Sequence, residues 1–169
     1  MVVLAVKPQL IANIAQDLSA ALNPGCAVVS IAAGVPLSAL EGWLRDDTAI
    51  VRAMPNTPAM VLTGATGLFA NSHVSSPQRH SIEQIFNAVG CVCWLQSEKQ
   101  VNAVTAVSGS GPAYFFLLFE IMQRAAEELG LPAATARELV LQTARGATEM
   151  AQTASIDAAE LRRQVTSPG

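Results

Sequence analysis

Charge is scarce in this chain. Asp, Glu, Lys and Arg together make up 14% of the 169 residues, against about 25% in an ordinary globular domain. Hydrophobic residues make up 51%, and the mean hydropathy is positive, +0.36. A disordered chain needs the opposite balance and is excluded. Basic residues are scarcer still. Ten Lys and Arg against thirteen Asp and Glu leave a net charge of −3, and Lys7 and Lys99 are the only lysines. Without a basic patch to neutralise a phosphate backbone, nucleic-acid binding is a poor reading.

Cysteine and histidine are equally sparse. Three cysteines, Cys26, Cys91 and Cys93, are too few and too odd for a disulfide framework. The Cys91–Cys93 spacing is neither a redox CxxC nor a zinc pair, so all three are expected as small core residues in a reducing compartment. His73 falls in a polar stretch and His80 on the polar side of a helix. No Ser/His/Asp or Cys/His arrangement is readable and no cluster has metal spacing, so metal binding is not expected and hydrolysis is disfavoured. That leaves chemistry carried by a cofactor, where protein supplies position and electrostatics.

Two uncharged runs, Leu18–Leu40 and Gln100–Phe119, are long enough to span a bilayer. The first contains Asn23-Pro24-Gly25, Gly34 and Pro36, and the second Ser108-Gly109-Ser110-Gly111-Pro112, which are turn and capping signals. Met1–Lys7 has neither a basic leader nor a small-residue cleavage site. The chain therefore reads as soluble and cytoplasmic, with no membrane partner.

What is present is an alternation of buried strands and helices. Val2–Val6 is a continuous apolar run of the kind found in parallel sheets, Cys26–Ile31 (CAVVSI) reads as a second buried run and Ala49–Met54 (AIVRAM) as a third strand. Pro8 opens a helix striped by Leu10, Ile11, Ile14, Leu18 and Leu22, and Leu37–Leu44 reads as a second. Leu62–Ala70 is expected as a bent strand, Ser76–Val89 as a helix and Cys91–Leu95 as a last strand. From Glu98 onward the pattern is helical: Glu98–Val107, Pro112–Leu129 capped by Ser110 or Gly111, Ala133–Thr153 and Asp157–Val165. The expectation is a Rossmann-type α/β parallel sheet over residues 1–97, followed by an all-α domain over 98–169. Tyr114 to Met122 is apolar on almost every side, which calls for burial by a second subunit.

In such sheets ligands bind at the carboxyl ends of the strands. Here those ends are Lys7-Pro8, Ala32-Ala33-Gly34 and Pro55-Asn56-Thr57-Pro58: small side chains, backbone N–H groups and one cation. Ser108-Gly109-Ser110-Gly111-Pro112 is expected as a loop leading into a helix N-terminus, a place that suits an anion.

Leu4-Ala5-Val6-Lys7-Pro8-Gln9, Ser30-Ile31-Ala32-Ala33-Gly34, Arg52-Ala53-Met54-Pro55-Asn56-Thr57-Pro58-Ala59, Val104 to Tyr114 (VTAVSGSGPAY) and Val165-Thr166-Ser167-Pro168-Gly169 stand in this order along the chain. Together they resemble pyrroline-5-carboxylate reductase. The resemblance implies reduction of 1-pyrroline-5-carboxylate to L-proline, the last step of proline synthesis, with NADPH or NADH. It implies a homodimer, or a larger assembly of dimers, through the helical domain. Ala5, Val6, Lys7, Pro8, Ala32, Ala33 and Gly34 would border the cofactor, with Met54, Pro55 and Asn56 at its nicotinamide end. Glu98 would line the pocket, Ser108, Gly109, Ser110 and Gly111 would cap it, and Ser167 would begin the loop that holds the substrate carboxylate. A hydride would pass to the carbon of the ring C=N bond, whose nitrogen is already protonated and makes the substrate its own electrophile, and no catalytic His or Cys is required.

The family pattern continues past Ser-Pro-Gly into Gly-Thr-Thr, and Ser155-Ile156-Asp157-Ala158-Ala159 departs from its usual His-Pro turn. It also places a glycine-rich pyrophosphate loop ahead of Met1, within roughly 50–60 further residues if each βαβ unit takes about 30. The 169 residues alone are therefore expected not to turn over. Two other readings stand beside this one. One is a non-catalytic dimerisation or binding module derived from the enzyme. The other is another Rossmann dehydrogenase, such as a hydroxyacid dehydrogenase, for which Lys99 is the candidate catalytic lysine in the helical half.

Overall fold

The computed structural model describes residues 1–166. They form two compact units, Met1–Pro112 and the residues from Ala113 onward. The first unit holds five strands, β1 (Val2–Leu4), β2 (Ala27–Ser30), β3 (Ala49–Met54), β4 (Gly64–Ala70) and β5 (Gly90–Trp94), paired in that order. β1, β2 and β3 are parallel, as are β4 and β5. β3 and β4 are antiparallel. Only nine residues join them, 55–63, and a parallel crossover takes a dozen or more.

Helices cover both faces. α1 (Ile11–Ala21) and α2 (Leu37–Trp43) pack with Leu4, Val28 and Ile50 around the buried Ile11, Ala15, Leu40 and Leu44. α3 (Ser76–Asn87) closes the opposite face, where Ile82 and Phe86 meet Val29, Val51 and Leu68. Val28 and Val29, and likewise Ile50 and Val51, thus serve two different cores, which is why successive positions of these strands are apolar rather than alternating. α3 starts in a capping box: Ser75 accepts from the Gln78 N–H, and the Gln78 side chain reaches back to the Ser75 N–H.

Several expectations need correction. Pro8 opens a single 3-10 turn, Pro8–Leu10, and Leu10 is exposed because the helix proper starts at Ile11. Cys91 and Cys93 are exposed, not core. They lie two apart on an edge strand, so they share one face of β5 while Val92 and Trp94 turn to the α3 side. The stretch Ser108–Pro112 is not a loop. α4 (Gln100–Val104) passes into a π-turn, Thr105–Gly109, then into α5 (Gly111–Glu128) with only Ser110 between. The Ser110 N–H donates to the Thr105 carbonyl at 2.8 Å, the i to i−5 bond of that turn.

In the second unit α5 ends at Gly130, φ +97°, and is followed by α6 (Ala133–Thr153) and α7 (Ala158–Val165). Asp157 caps α7 by accepting from the Glu160 N–H at 2.8 Å. Tyr114, Phe115, Phe116, Leu117, Leu118 and Ile121 of α5 are each at least half exposed in the single chain.

Candidate functional site

The register of the parallel strands builds the site. Leu4 lies beside Ser30, and Ser30 beside Arg52, so the chain leaves β1, β2 and β3 at one level. The Ile31 N–H donates to the Leu4 carbonyl at 3.2 Å and extends the pairing to the exit. Residues 5–8, 32–34 and 54–56 therefore follow one another along a single edge of the sheet. Ala5, Lys7, Pro8, Ala33 and Gly34 are exposed there, and Val6, Met54, Pro55 and Asn56 are half-buried. Ala32 is buried, and its N–H is already taken by the Ser30 hydroxyl at 3.3 Å.

Behind this edge sits an ion pair that motif reading missed. Arg52 is the charged residue of β3, and its side chain is only 11% exposed. A guanidinium so buried needs a partner, and Glu98 supplies it. The same Glu98 Oε1 accepts from the Leu37 N–H at 2.6 Å. Leu37 opens α2, so this N–H has no partner within the helix, and the carboxylate meets the positive end of the helix dipole. Glu98 thus ties β3, the start of α2 and the approach to α4 together. A charged residue inside a run otherwise apolar (AIVRAM) was the available signal for Arg52; its partner, 46 positions away, was not readable.

Asn56 forms a second junction. Its Oδ1 accepts from the Ala65 N–H at 2.9 Å, and its Nδ2 donates to the Ser108 carbonyl at 3.1 Å. Ser108 and Gly109 are half-buried and Ser110 is exposed. The Ser108 hydroxyl donates to the Val104 carbonyl at 3.1 Å. A Cβ on Gly109 would lie 2.6 Å from Met54 Cε, so the π-turn rests against the end of β3. Gly111 is buried. Ser167 lies outside the described residues. His73 and His80 are exposed, as is Lys99, which immediately precedes α4. Among the described residues no group of three His, Cys, Asp or Glu could hold a metal.

A mostly parallel sheet with a bare carboxyl edge, continued by a helical region rich in exposed apolar side chains, defines a Rossmann-type unit with an appended dimerisation domain. Residues 98–169 match the family model for pyrroline-5-carboxylate reductase dimerisation. The chain is 54% identical to the pyrroline-5-carboxylate reductase of Pseudomonas aeruginosa over 168 residues, 99% of this chain and 62% of that protein. Solved structures agree. The Coxiella burnetii pyrroline-5-carboxylate reductase is 48% identical with a TM-score of 0.92, covering 99% of this chain and 63% of that one. The Plasmodium falciparum pyrroline carboxylate reductase, solved with NADP bound, is 32% identical with a TM-score of 0.93, covering 99% and 64%.

The chain is therefore a homologue of the pyrroline-5-carboxylate reductases along its whole length, and it spans about 62% of the length of the curated relatives it matches. By length and composition alone the helical run Gln100–Glu128 could cross a membrane. Residues 100–128 lie within the stretch that matches the dimerisation family model.

Proposed function

We propose that the protein reduces 1-pyrroline-5-carboxylate to L-proline with NADPH or NADH, in the cytoplasm, as a homodimer. The observation that carries this reading is the 54% identity to a pyrroline-5-carboxylate reductase across 99% of the chain. The cofactor edge fits the family's cofactor. Three adjacent strand exits offer backbone, small side chains and the Lys7 ammonium group, and Gly34, at φ +76° with open space where a Cβ would stand, keeps the second exit low. Such a rim suits an elongated anionic dinucleotide.

Ala5, Val6, Lys7, Pro8, Ala32, Ala33 and Gly34 would hold the dinucleotide, with Met54, Pro55 and Asn56 at its nicotinamide end. A bound dihydronicotinamide supplies the hydride. Glu98 would flank the pocket while bracing α2 through Leu37. Ser108, Gly109 and Ser110 would meet the substrate, and Ser167 would begin the loop for its carboxylate. The protein's work is orientation, which can contribute about 7–11 kcal/mol to a two-reactant step. Because the imine nitrogen enters protonated, none of these roles needs a His or Cys as general acid.

The start of the match to the dimerisation family at residue 98 supports a functional boundary at 97/98, ahead of the division between the two compact units after Pro112. The uncovered apolar side chains of α5 support a helical domain that packs against a second copy. Three unpaired cysteines support a reducing compartment.

The test is NADPH- and NADH-dependent reduction of 1-pyrroline-5-carboxylate by the purified protein, expressed with whatever its gene encodes on either side of these 169 residues. Turnover to proline is expected. A well-folded preparation that oxidises neither cofactor with this substrate, or that prefers a hydroxyacid couple, overturns the reading.

A further inference from the structure

We propose that Asn56 is a positioning residue that clips the π-turn Thr105–Gly109 to the end of β3, and that it acts through these two segments rather than as a ligand. The inference rests on the reading above, in which Met54–Asn56 border the nicotinamide and Ser108–Ser110 the substrate.

Four observations carry it. First, both polar atoms of the Asn56 amide are engaged inside the protein, Oδ1 by the Ala65 N–H and Nδ2 by the Ser108 carbonyl. Second, the Ser108 carbonyl is available to Asn56 for a covalent reason. In an α-helix its donor is the N–H four residues on, and that residue is Pro112, which has none. Third, the helix is in π register at this place, with the Ser110 N–H on the Thr105 carbonyl. Single π-turns inside helices are uncommon and concentrate at functional sites. Fourth, Gly109 sits against Met54 Cε, so the contact between the two segments has an apolar half as well as a polar one.

Asn56 also closes the connection that follows it. Its bond to Ala65 joins the start of the 3-10 turn Thr57–Val61 to the start of β4. Within that connection Leu62 is held at φ 60°, a conformation that costs a non-glycine residue free energy and persists only where the surroundings impose it. One amide therefore joins the exit of β3, the entry of β4 and the π-turn. Its effect is to fix the distance and register between the cofactor side and the substrate side of the proposed site.

Two variants separate this role from simple stability. Asn56→Asp keeps an acceptor for the Ala65 N–H but sets an oxygen against the Ser108 carbonyl, so only the clip to the π-turn is lost. Pro112→Ala returns a helix donor that competes with Asn56 for the same carbonyl, without opening a cavity. The first readout is hydrogen exchange at the Ser110 amide, which needs neither cofactor nor substrate. The second is the split between the NADPH Kd, measured without substrate, and the KM for 1-pyrroline-5-carboxylate.

With Asn56→Asp, Ser110 exchange is expected to rise about tenfold or more, the equivalent of one lost hydrogen bond. The substrate KM should rise about tenfold, and by a larger factor than the NADPH Kd. Pro112→Ala should move both readouts in the same direction by less. Unchanged Ser110 exchange in a folded Asn56→Asp variant overturns the proposal, as does a rise in NADPH Kd with unchanged exchange, which would make Asn56 a direct ligand. Should Asn56→Asp fail to fold, unchanged exchange in Pro112→Ala overturns it instead. A wild-type protein that leaves 1-pyrroline-5-carboxylate unreduced refutes the functional reading, while the exchange arm still decides the clip.

Discussion

Arg52 and Glu98 form an ion pair across 46 positions of sequence, and the oxygen that receives the guanidinium also receives the first N–H of α2. One carboxylate thereby satisfies a cation held within the sheet and a helix end that would otherwise be open. The arrangement is asymmetric: the Arg52 side chain is 11% exposed and that of Glu98 32%. Removing the acid strands the more buried partner, and removing the base leaves a carboxylate that still has the Leu37 N–H and some water.

Glu98→Ala is accordingly expected to cost more than Arg52→Met, about 2–4 against about 1–2 kcal/mol of unfolding free energy, since an uncompensated buried charge is the larger penalty. Urea denaturation of the two variants beside wild type measures the difference. Equal losses would mean that the two charges are equally solvated in the folded chain.

Gly67 on β4 faces Val104 of α4, and a Cβ there would come within 2.8 Å of Val104 Cγ2. Gly67→Ala should destabilise the first unit by about 1–3 kcal/mol through overpacking. Adding Val104→Ala to the same chain removes the clashing methyl groups and should recover most of that loss, a coupling that a double-mutant cycle reads directly. Strict additivity of the two changes would contradict the packing described.

Phe116 and Leu117 on α5 are 62% and 55% exposed in the single chain. If a second copy covers them, Phe116→Asp buries a charge in an apolar interface and should shift the protein from dimer to monomer in sedimentation equilibrium, weakening association by about tenfold or more. A wild-type protein that sediments as a monomer at all concentrations would remove the basis for this prediction.

Lys7 is exposed at the exit of β1, on the edge proposed to hold the cofactor. Lys7→Ala is expected to raise the NADPH Kd by about fivefold at low salt, near the upper end for an exposed charge contact, and by less as salt is added. Lys99→Ala, on the approach to α4, serves as the control and should leave the Kd unchanged. Titration calorimetry at two ionic strengths tests both statements.

Much of the fold was legible because it is local. Runs such as Ala27–Ser30 and Ala49–Met54 are apolar at consecutive positions (Ala27–Val29, Ala49–Val51) rather than alternating, as a strand covered on both faces requires. Pro, Gly and Asn marked the ends of these runs, and the order of the five quoted motifs pointed to the family. The edge carrying Lys7, Gly34 and Asn56 followed from strand direction alone.

Other features depended on neighbours distant in sequence. Cys91 and Cys93 look like core residues by type, but the exposure of a strand face is set by what packs on it, and β5 is an edge. Ser108-Gly109-Ser110-Gly111-Pro112 has the composition of a loop. It spans the end of the π-turn Thr105–Gly109, Ser110 and the start of α5, where Asn56, brought alongside by the exit of β3, donates to the Ser108 carbonyl.

The amino-acid sequence by itself determined the strands, the bare strand exits and the apolar helix, since each arises from periodicity or backbone chemistry within a few residues. The tertiary structure alone decided that Arg52 meets Glu98, that Asn56 holds Ser108 and that two cysteines face outward. Those outcomes turn on register between segments, where a shift of one residue moves every side chain to the other face.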